Sequence, residues 1–393
     1  MARCHSLQML VLLFLFFMLQ FAASSALDPC PTPFARTFIL NENENCSDVS
    51  DEGKKHIQSN NTTVLLPLLY LVAFLVGLPA NLVALWVLLF RTKKQPSTTL
   101  LINLTACDLL LLVVLPFRIA YHFQGNDWTL GEPLCRLVMA LFYGNMYGSV
   151  LCLALIAFDR YLALVHPIGG RALRTYRNSV YMTAAAWAVV LVAMVPLLAT
   201  QQTYPLASLN ITTCHDVLPD KIQMRFLVAY FASLFAVCFV LPLLAVLFCY
   251  GSILRALVKA GRRYAHAVRV TALVLTVFLV CLLPSNALLL AHNSYLLWGD
   301  QEVGESLYMP YMVTLALSTF NSCLDPFIFY YVSEDFREKA RQVLLCGQPE
   351  KTPTSSQLET RSSSSSRSKV TLLSTSGRVS VTPEAPCLHG AAA

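Results

Sequence analysis

The sequence predicts an all-α membrane protein, a seven-transmembrane helix bundle with a short interfacial helix and disordered tails at both ends. Its 393 residues are 56% hydrophobic and 13% charged, with a mean hydropathy of +0.58, a composition that would make a soluble domain aggregate. Beyond an N-terminal apolar run, seven more are long enough, at roughly 20 residues or above, to cross a bilayer. Basic residues collect in alternate loops between these runs.

The first 26 residues have the pattern of a secretory signal peptide. Arg3 and His5 precede an apolar run at residues 7–23, and small residues follow it. An uncleaved first span is the alternative, but the short run and the nearby Pro29 favour cleavage near Ala23 or Ala26. Residues 27–63 would then form an extracellular tail.

The seven predicted spans lie at residues 64–90, 98–123, 132–165, 176–200, 224–258, 264–292 and 306–331. With the first tail outside, an odd number of spans places the C-terminus in the cytoplasm of a multi-pass plasma-membrane protein. The positive-inside rule agrees, because Arg91, Arg174 and Arg262 fall in loops on one side and Asp127 and Glu302 on the other. The net charge of +6 therefore reflects topology, and no nucleic-acid partner is expected.

Four sequons fall on the predicted outer side, at Asn45, Asn60, Asn61 and Asn210, and predict glycosylation. At the other end of the 64–346 bundle, Ser333 begins a helical pattern of acids followed by bases, which predicts the interfacial helix.

The chain directly after the interfacial helix is predicted to be a lipid-anchored tail. Cys346 is a candidate for palmitoylation, and a frayed tail with an inert thiol is the alternative. Residues 347–393 are rich in Ser and Thr, too poor in apolar residues to fold, and open to kinases.

Two cysteine pairs lie on the predicted outer side. Cys135 begins the third span and Cys214 lies within the second extracellular loop, so a disulfide between them would hold that loop over the bundle. Cys30 and Cys46 form a second candidate pair. No metal-ligand cluster or nucleophile motif suggests an enzyme or a metal cofactor.

Each span carries a costly polar group or a proline, and such groups inside a membrane mark functional positions. They are Asn81, Asp108, Asp159-Arg160-Tyr161, Trp187, Pro242 with Tyr250, Phe278 with Pro284, and Asn321 with Asp325-Pro326. In this order the set resembles the rhodopsin-like G-protein-coupled receptors.

The resemblance implies a heterotrimeric G protein as partner, with arrestin and kinases at the C-terminal tail. It also implies an allosteric sodium ion held by Asp108, Ser149, Asn321 and Asp325, although structural packing is an equal alternative for Ser149. Arg160 would pair with Asp159 at rest and be released on activation. Two positions depart from the family pattern: Leu282 replaces a frequent Trp, and Phe329 replaces a Tyr that would reach Tyr250.

Strings at the outer ends of the spans narrow the resemblance. Residues 210–217 (NITTCHDV), 115–122 (LPFRIAYH) and 142–147 (FYGNMY) are similar to the protease-activated receptors, the thrombin-receptor family. Such receptors carry their agonist in their own N-terminus, which a protease exposes. Arg36 is the only arginine in residues 27–63, and it precedes the ligand-like segment Thr37-Phe38-Ile39-Leu40-Asn41-Glu42. A chance arginine in a disordered tail is the alternative.

We expect the new amine of Thr37 to meet Asp216, beside His215, while Tyr143, His292, Tyr308 and Tyr311 line the site. Anchoring at the lipid headgroups competes as an explanation for the tyrosines.

The protease is trypsin-like, and thrombin, a protease of blood coagulation, is one candidate, with calcium-mobilising G proteins as output. A receptor for a diffusible peptide, nucleotide or lipid is the second hypothesis, and a transporter or membrane enzyme is the third.

Overall fold

The structure is a computed structural model of the 393-residue chain, and it describes residues 33–35, 51–93, 95–206, 208–219, 229–261, 264–298 and 301–344. Within these residues seven helices are long and apolar enough to span a membrane, which confirms the predicted fold class. They are Lys54–Arg91, Pro96–Phe123, Glu132–Leu164, Tyr176–Ala199, Ala229–Lys259, Ala265–His292 and Ser306–Val332, called the first to seventh spans below.

The α-helices of the bundle are Leu66–Trp86, Pro96–Phe123, Glu132–Leu164, Tyr176–Ala199, Leu241–Lys259, Ala265–Trp298, Gln301–Ser318 and Phe320–Val332. Wider, π-helical turns at Asn61–Leu65 and Val87–Arg91 flank the first of these, and a third at Phe235–Val240 precedes the fifth. Two short helices flank these: the N-terminal helix Asp51–Ile57, whose last residues open the first span, and the interfacial helix Glu334–Leu344.

The first span starts ten residues earlier than the sequence predicts. The apolar run begins at Val64, but the N-terminal helix and the turn Asn61–Leu65 continue the helical path back to polar residues. Hydropathy detects only the part of a helix that meets lipid, so it does not reveal such an extension.

Pro326 shows how the bundle tolerates a proline inside the seventh span. A proline has no N–H to donate to the carbonyl four residues earlier, here that of Ser322. Asn81 supplies the missing donor, because its Nδ2 donates to the Ser322 oxygen at 2.8 Å and to the Gly77 oxygen at 3.0 Å. The first and seventh spans are therefore joined where the seventh lacks its own hydrogen bond.

Gly77 allows this close approach. A Cβ at that position would lie 2.9 Å from both Cys323 Sγ and Leu112 Cδ2, which is closer than real contacts allow. The absence of a side chain thus lets the first, second and seventh spans converge around Asn81.

The interfacial helix begins as the sequence predicts. Ser333 precedes it, and its hydroxyl accepts a hydrogen bond from the Phe336 N–H at 3.1 Å, the geometry of an N-cap. Phe336 and Ala340 are buried on the side that faces the bundle, and the ring of Phe336 meets Phe329 edge-on at a centroid distance of 6.1 Å. The end of the seventh span and this helix therefore pack as one unit.

Two small antiparallel sheets lie at the end of the bundle that carries the Cys135–Cys214 disulfide, called here the disulfide end. Strands β2 (Thr203–Leu206) and β3 (Ile211–Cys214) form a hairpin between the fourth and fifth spans. Strand β4 (Val217–Pro219) follows and pairs with β1 (Pro33–Ala35) from the N-terminal tail. The opposite end, which carries Arg160, is called the Arg160 end.

Candidate functional site

The carboxylate of Asp216 is buried at the disulfide end, two residues after Cys214, with 7% of the residue exposed. The Tyr121 hydroxyl donates a hydrogen bond to its Oδ2, and the Tyr308 hydroxyl lies 3.5 Å from its Oδ1. A buried carboxylate needs donors, because its desolvation is otherwise very costly. Neutral hydroxyls fill this role, and an incoming cation could replace them at the same oxygens.

His215 turns the chain between β3 and β4. Its φ of 72° lies in the left-handed region, and its backbone N–H donates to the Gln202 oxygen at 2.8 Å. Its ring joins two parts of the site, with Nδ1 2.5 Å from Gln202 Oε1 and Nε2 3.3 Å from the Tyr143 hydroxyl. These contacts aim Asp216 into the bundle.

Aromatic side chains form the floor beneath Asp216 and His215. The Tyr143 and Tyr311 hydroxyls lie 2.9 Å apart, and the His292 ring stacks on Tyr311 with an interplanar angle of 7°. The tyrosines are at most 5% exposed and face the interior, which argues against headgroup anchoring. All six predicted ligand-site residues, Asp216, His215, Tyr143, His292, Tyr308 and Tyr311, thus form one cluster, called here the acidic aromatic cluster.

Arg118 is a buried cation that sequence reasoning missed. It is 2% exposed, its guanidinium lies 5.5 Å from the Phe142 ring centroid and 5.9 Å from that of Tyr121, and its Nη1 meets Met139 Sδ at 3.5 Å. Its Nε has no hydrogen-bond partner among the described residues. The sequence already showed an arginine within the second span. Burying a cation in a membrane helix is costly, and this cost could have marked Arg118 as a functional position.

The hairpin that carries Asp216 is tied to the bundle at several points. The Cys135–Cys214 disulfide confirms the predicted link between the third span and this loop. Glu132 accepts hydrogen bonds from Arg136 and from the backbone N–H groups of Gln202 and Thr203, the last two at 2.7 Å. The loop after the second span adds Asp127, whose Oδ1 accepts from the Thr212 N–H at 2.8 Å. Asp216 therefore sits on a rigid support.

The N-terminal tail reaches this support through β1. Pro33 lies opposite Pro219, Phe34 opposite Leu218, and Ala35 opposite Val217. Ala35 is the residue before Arg36, and Val217 is the residue after Asp216. The chain directly before the predicted cleavage site therefore pairs with the strand directly after the acidic residue.

A second polar group lies deeper, between the second, third and seventh spans. Ser149 Oγ is 3.5 Å from Asp108 Oδ1, and Asn321 Nδ2 is 3.5 Å from Asp325 Oδ2. Asp108 Oδ2 is buried and has no hydrogen-bond partner in the described part of the chain. A cavity of about 10 Å³ nearby is lined by residues that include Ser149 and Asn321. Carboxylate, hydroxyl and amide oxygens suit a hard cation, so these residues fit the sodium ion that the resemblance implies.

At the Arg160 end, two partners outside the Asp159-Arg160-Tyr161 triplet hold the Asp159 carboxylate. Ser97 Oγ donates to Oδ2 at 2.7 Å, and Arg174 donates through Nε to Oδ1 at 2.9 Å and through Nη2 to Oδ2 at 3.4 Å. Neither partner was predicted. The Tyr161 hydroxyl lies 2.9 Å from His166 Nε2, in the loop that follows the third span.

The remaining predicted switch residues lie in the fifth, sixth and seventh spans. Phe278, Tyr250, Asp325 and Pro326 are buried, and Pro284 faces outward. The helix of the seventh span is interrupted at Thr319, between the segments Gln301–Ser318 and Phe320–Val332. It continues without a break through Pro326. The hydroxyls of Ser318 and Thr319 bond to carbonyls three residues earlier, at 2.7 and 2.6 Å, and such bonds compete with the helix.

Several predicted positions lie outside the described residues. They are Arg36, Thr37, Phe38, Ile39, Leu40, Asn41, Glu42, Asn45, Cys30, Cys46 and Cys346. Of the other predicted glycosylation sites, Asn60, Asn61 and Asn210 are exposed.

The bundle and its intramembrane polar groups define a receptor of the seven-helix type, and comparison with known proteins agrees. The sequence model of the 7 transmembrane receptor (rhodopsin family) matches residues 80–329. The chain is 45% identical over 324 residues to human (Homo sapiens) proteinase-activated receptor 4, which covers 82% of each chain.

Two further relatives give the same result. Mouse (Mus musculus) proteinase-activated receptor 4 is 50% identical over 289 residues, 73% of this chain and 72% of the relative. Human proteinase-activated receptor 2 is 41% identical over 293 residues, 72% of each chain. This multi-pass membrane protein therefore belongs to the proteinase-activated receptors of the rhodopsin family.

Proposed function

We propose that a trypsin-like serine protease activates this receptor by cutting after Arg36, and that the new N-terminus beginning Thr37-Phe38-Ile39-Leu40 binds the acidic aromatic cluster. The pairing of β1 with β4 is the observation that carries the proposal. It brings the chain before Arg36 to the strand next to Asp216, so that the released end starts close to its receptor site.

The charge of the new amine drives recognition. Thr37 would carry a free α-amino group, which is protonated at neutral pH because such groups have a pKa near 8. Asp216 offers it a buried carboxylate whose present donors are the Tyr121 and Tyr308 hydroxyls. An ammonium group forms a stronger hydrogen bond with a carboxylate than a hydroxyl does, so the exchange is favourable.

Phe38 and Leu40 would supply the apolar part of the binding energy against the tyrosines and His292. Tethering gives the ligand a high effective concentration, so modest intrinsic affinity is sufficient. Arg118 lies beside Tyr121 and offsets the negative charge of Asp216 when no amine is present.

Ligand binding is coupled to the Arg160 end through the seventh span. Tyr308 and Tyr311 belong to the seventh span, whose break at Thr319 and link to Asn81 lie between the ligand cluster and Asp325. In the resting receptor, the side-chain oxygens of Asp108, Ser149, Asn321 and Asp325 would hold the sodium ion. Movement of the seventh span would change the distances between these oxygens. Release of Asp159 and Arg160 then exposes the surface for a heterotrimeric G protein of the calcium-mobilising type.

The topology that follows places the disulfide end outside the plasma membrane and the Arg160 end in the cytoplasm. Residues 1–26 would be removed as a signal peptide, Asn45, Asn60, Asn61 and Asn210 would carry glycans, and Cys346 a palmitoyl group. Arrestin and kinases would act on residues 347–393. Both thrombin and other trypsin-like enzymes remain candidates for the cut, since Ala35, not proline, precedes Arg36 and acidic residues follow.

An Arg36→Ala receptor tests the proposal. Cells that express it should show no calcium response to trypsin or thrombin, yet respond normally to the free peptide Thr-Phe-Ile-Leu-Asn-Glu. An unchanged protease response would contradict cleavage at Arg36. A soluble compound that activates the receptor while this peptide fails would favour a receptor for a diffusible ligand.

A further inference from the structure

The N-terminal helix Asp51–Ile57 is packed against the bundle and does not extend away from it. Ile57 is 2% exposed, and Lys55 on the same helix is exposed. An apolar side chain that is fully covered at the end of a seven-residue helix indicates a specific contact, because so short a helix is not stable by itself.

Asn126 is the residue that receives this helix. Its Nδ2 donates to the Ile57 carbonyl oxygen at 2.5 Å, and Thr62 Oγ1 donates to the same oxygen at 2.8 Å. The last carbonyls of a helix lack partners within it, so these donors complete the helix end. Asn126 is itself 3% exposed and has a φ of 63°, a conformation that few residues other than Asn and Gly adopt.

His122 fixes the orientation of the Asn126 amide. Its Nδ1 lies 2.6 Å from Asn126 Oδ1, and since the amide nitrogen donates to Ile57, the amide oxygen must accept from His122. The His122 ring lies 5.0 Å from the ring of Tyr121, whose hydroxyl bonds to Asp216. The place where the helix is held is therefore next to the acidic aromatic cluster.

We propose that Asn126 anchors the N-terminal helix as a fixed base for the tethered ligand, shortening the free tether and starting it beside the ligand site. This inference rests on the proposed function. If Thr37–Glu42 is the ligand, only residues 43–50 separate it from the anchored helix. Eight residues reach at most about 27 Å, with a root-mean-square length of about 16 Å as a flexible chain.

Without the anchor the free tether would extend through Ser59, from eight to 17 residues, 43–59. Effective concentration falls with about the −3/2 power of tether length, so loss of the anchor lowers it about threefold. Asn126 is thus a positioning residue, and its loss affects the tethered ligand but not a free one.

The test compares Asn126→Gly and Ile57→Ala with Gln58→Ala, whose side chain is exposed beside the helix. Glycine keeps the left-handed backbone of position 126 and removes only the side chain. All are made in a Leu40→Ala background, because a weakened ligand leaves the tethered site unsaturated. The readout is GTPγS binding in membranes after complete cutting at Arg36, divided by GTPγS binding with saturating free Thr-Phe-Ile-Leu-Asn-Glu peptide in uncut membranes.

Amide hydrogen exchange on the purified full-length receptor gives the second readout, independent of signalling. We expect slow exchange at residues 51–57 in the unmodified receptor, fast exchange in both anchor variants, and a ratio of cut to peptide response about threefold lower in them than in Gln58→Ala. Fast exchange in the unmodified receptor, or an unchanged ratio once protection is lost, overturns the anchor alone. A protease response that survives Arg36→Ala overturns the proposed function and the anchor with it.

Discussion

Asp216 and Arg118 place two opposite buried charges on either side of Tyr121. Tyr121 donates its hydroxyl to Asp216 and presents its ring to Arg118 at 5.9 Å. The Asp216 carboxylate is therefore contacted by two tyrosine hydroxyls, while the Arg118 charge lies against the ring of Tyr121. In the proposed function, the Thr37 amine binds this carboxylate.

The first prediction concerns that amine. Asp216→Asn should lower the potency of the free Thr-Phe-Ile-Leu-Asn-Glu peptide about 10- to 100-fold, because a hydrogen bond between charged groups contributes about 1.5–3 kcal/mol. Acetylation of the peptide N-terminus should cost a similar factor in the unmodified receptor, measured by calcium release.

Combining the two changes should cost little more than either alone, since both remove the same pair. Asp127→Asn is the matched control, because among the described residues the Asp127 carboxylate accepts its hydrogen bond from the Thr212 backbone N–H. If the two losses multiply fully, the amine does not bind Asp216.

Asn81 and Arg174 each join a helix to another element of the bundle through a side-chain hydrogen bond. Asn81 donates to the Ser322 carbonyl, which Pro326 leaves without a backbone donor. Arg174, in the loop between the third and fourth spans, binds Asp159 of the third span. Both contacts use side chains to connect elements where the backbone alone cannot.

Asn81→Ala should destabilise the bundle by about 1–2 kcal/mol, because the buried Ser322 carbonyl loses its donor. The receptor in detergent should then unfold a few degrees lower in a thermal-melting measurement. Asn178→Ala, which removes side-chain hydrogen bonds at a partly exposed position, should leave Tm nearly unchanged. Equal melting temperatures for all three proteins would show that the Asn81 link does not stabilise the fold.

Arg174→Ala should raise basal signalling, because Asp159 keeps its hydrogen bond from Ser97 but loses its ion pair with Arg174. The measurement is basal GTPγS binding without protease or peptide, at matched receptor amounts. Arg171→Ala serves as control, since Arg171 lies exposed in the same loop. Identical basal signals in the two variants would show that Arg174 does not stabilise the resting state.

Across the whole molecule, hydropathy predicted the bundle, the positions of Cys135 and Cys214 predicted their disulfide, and the family resemblance predicted the grouping of six residues around Asp216. These follow from hydropathy and from strings that resemble a known family. Ser97 and Arg174 on Asp159, and Asn126 on Ile57, were not predicted. Each of these contacts depends on how a loop or a short helix folds back, and no periodicity in the sequence encodes that.

The packed N-terminal helix and the β1–β4 pair hold the tail at two points, on either side of residues 36–50. A single cut after Arg36 would free one end of this segment while the other stays fixed to the bundle. In the proposed function, this single cut converts part of the chain into a ligand of the same molecule.

A receptor expressed with the signal peptide joined directly to Thr37 tests whether the cut acts by exposing this N-terminus. It carries the proposed ligand from the start, so it should raise calcium and GTPγS binding without any protease, and Phe38→Ala in the same chain should abolish most of that signal. A surface-expressed form that remains silent, while the free peptide still activates the full-length receptor, would contradict the account.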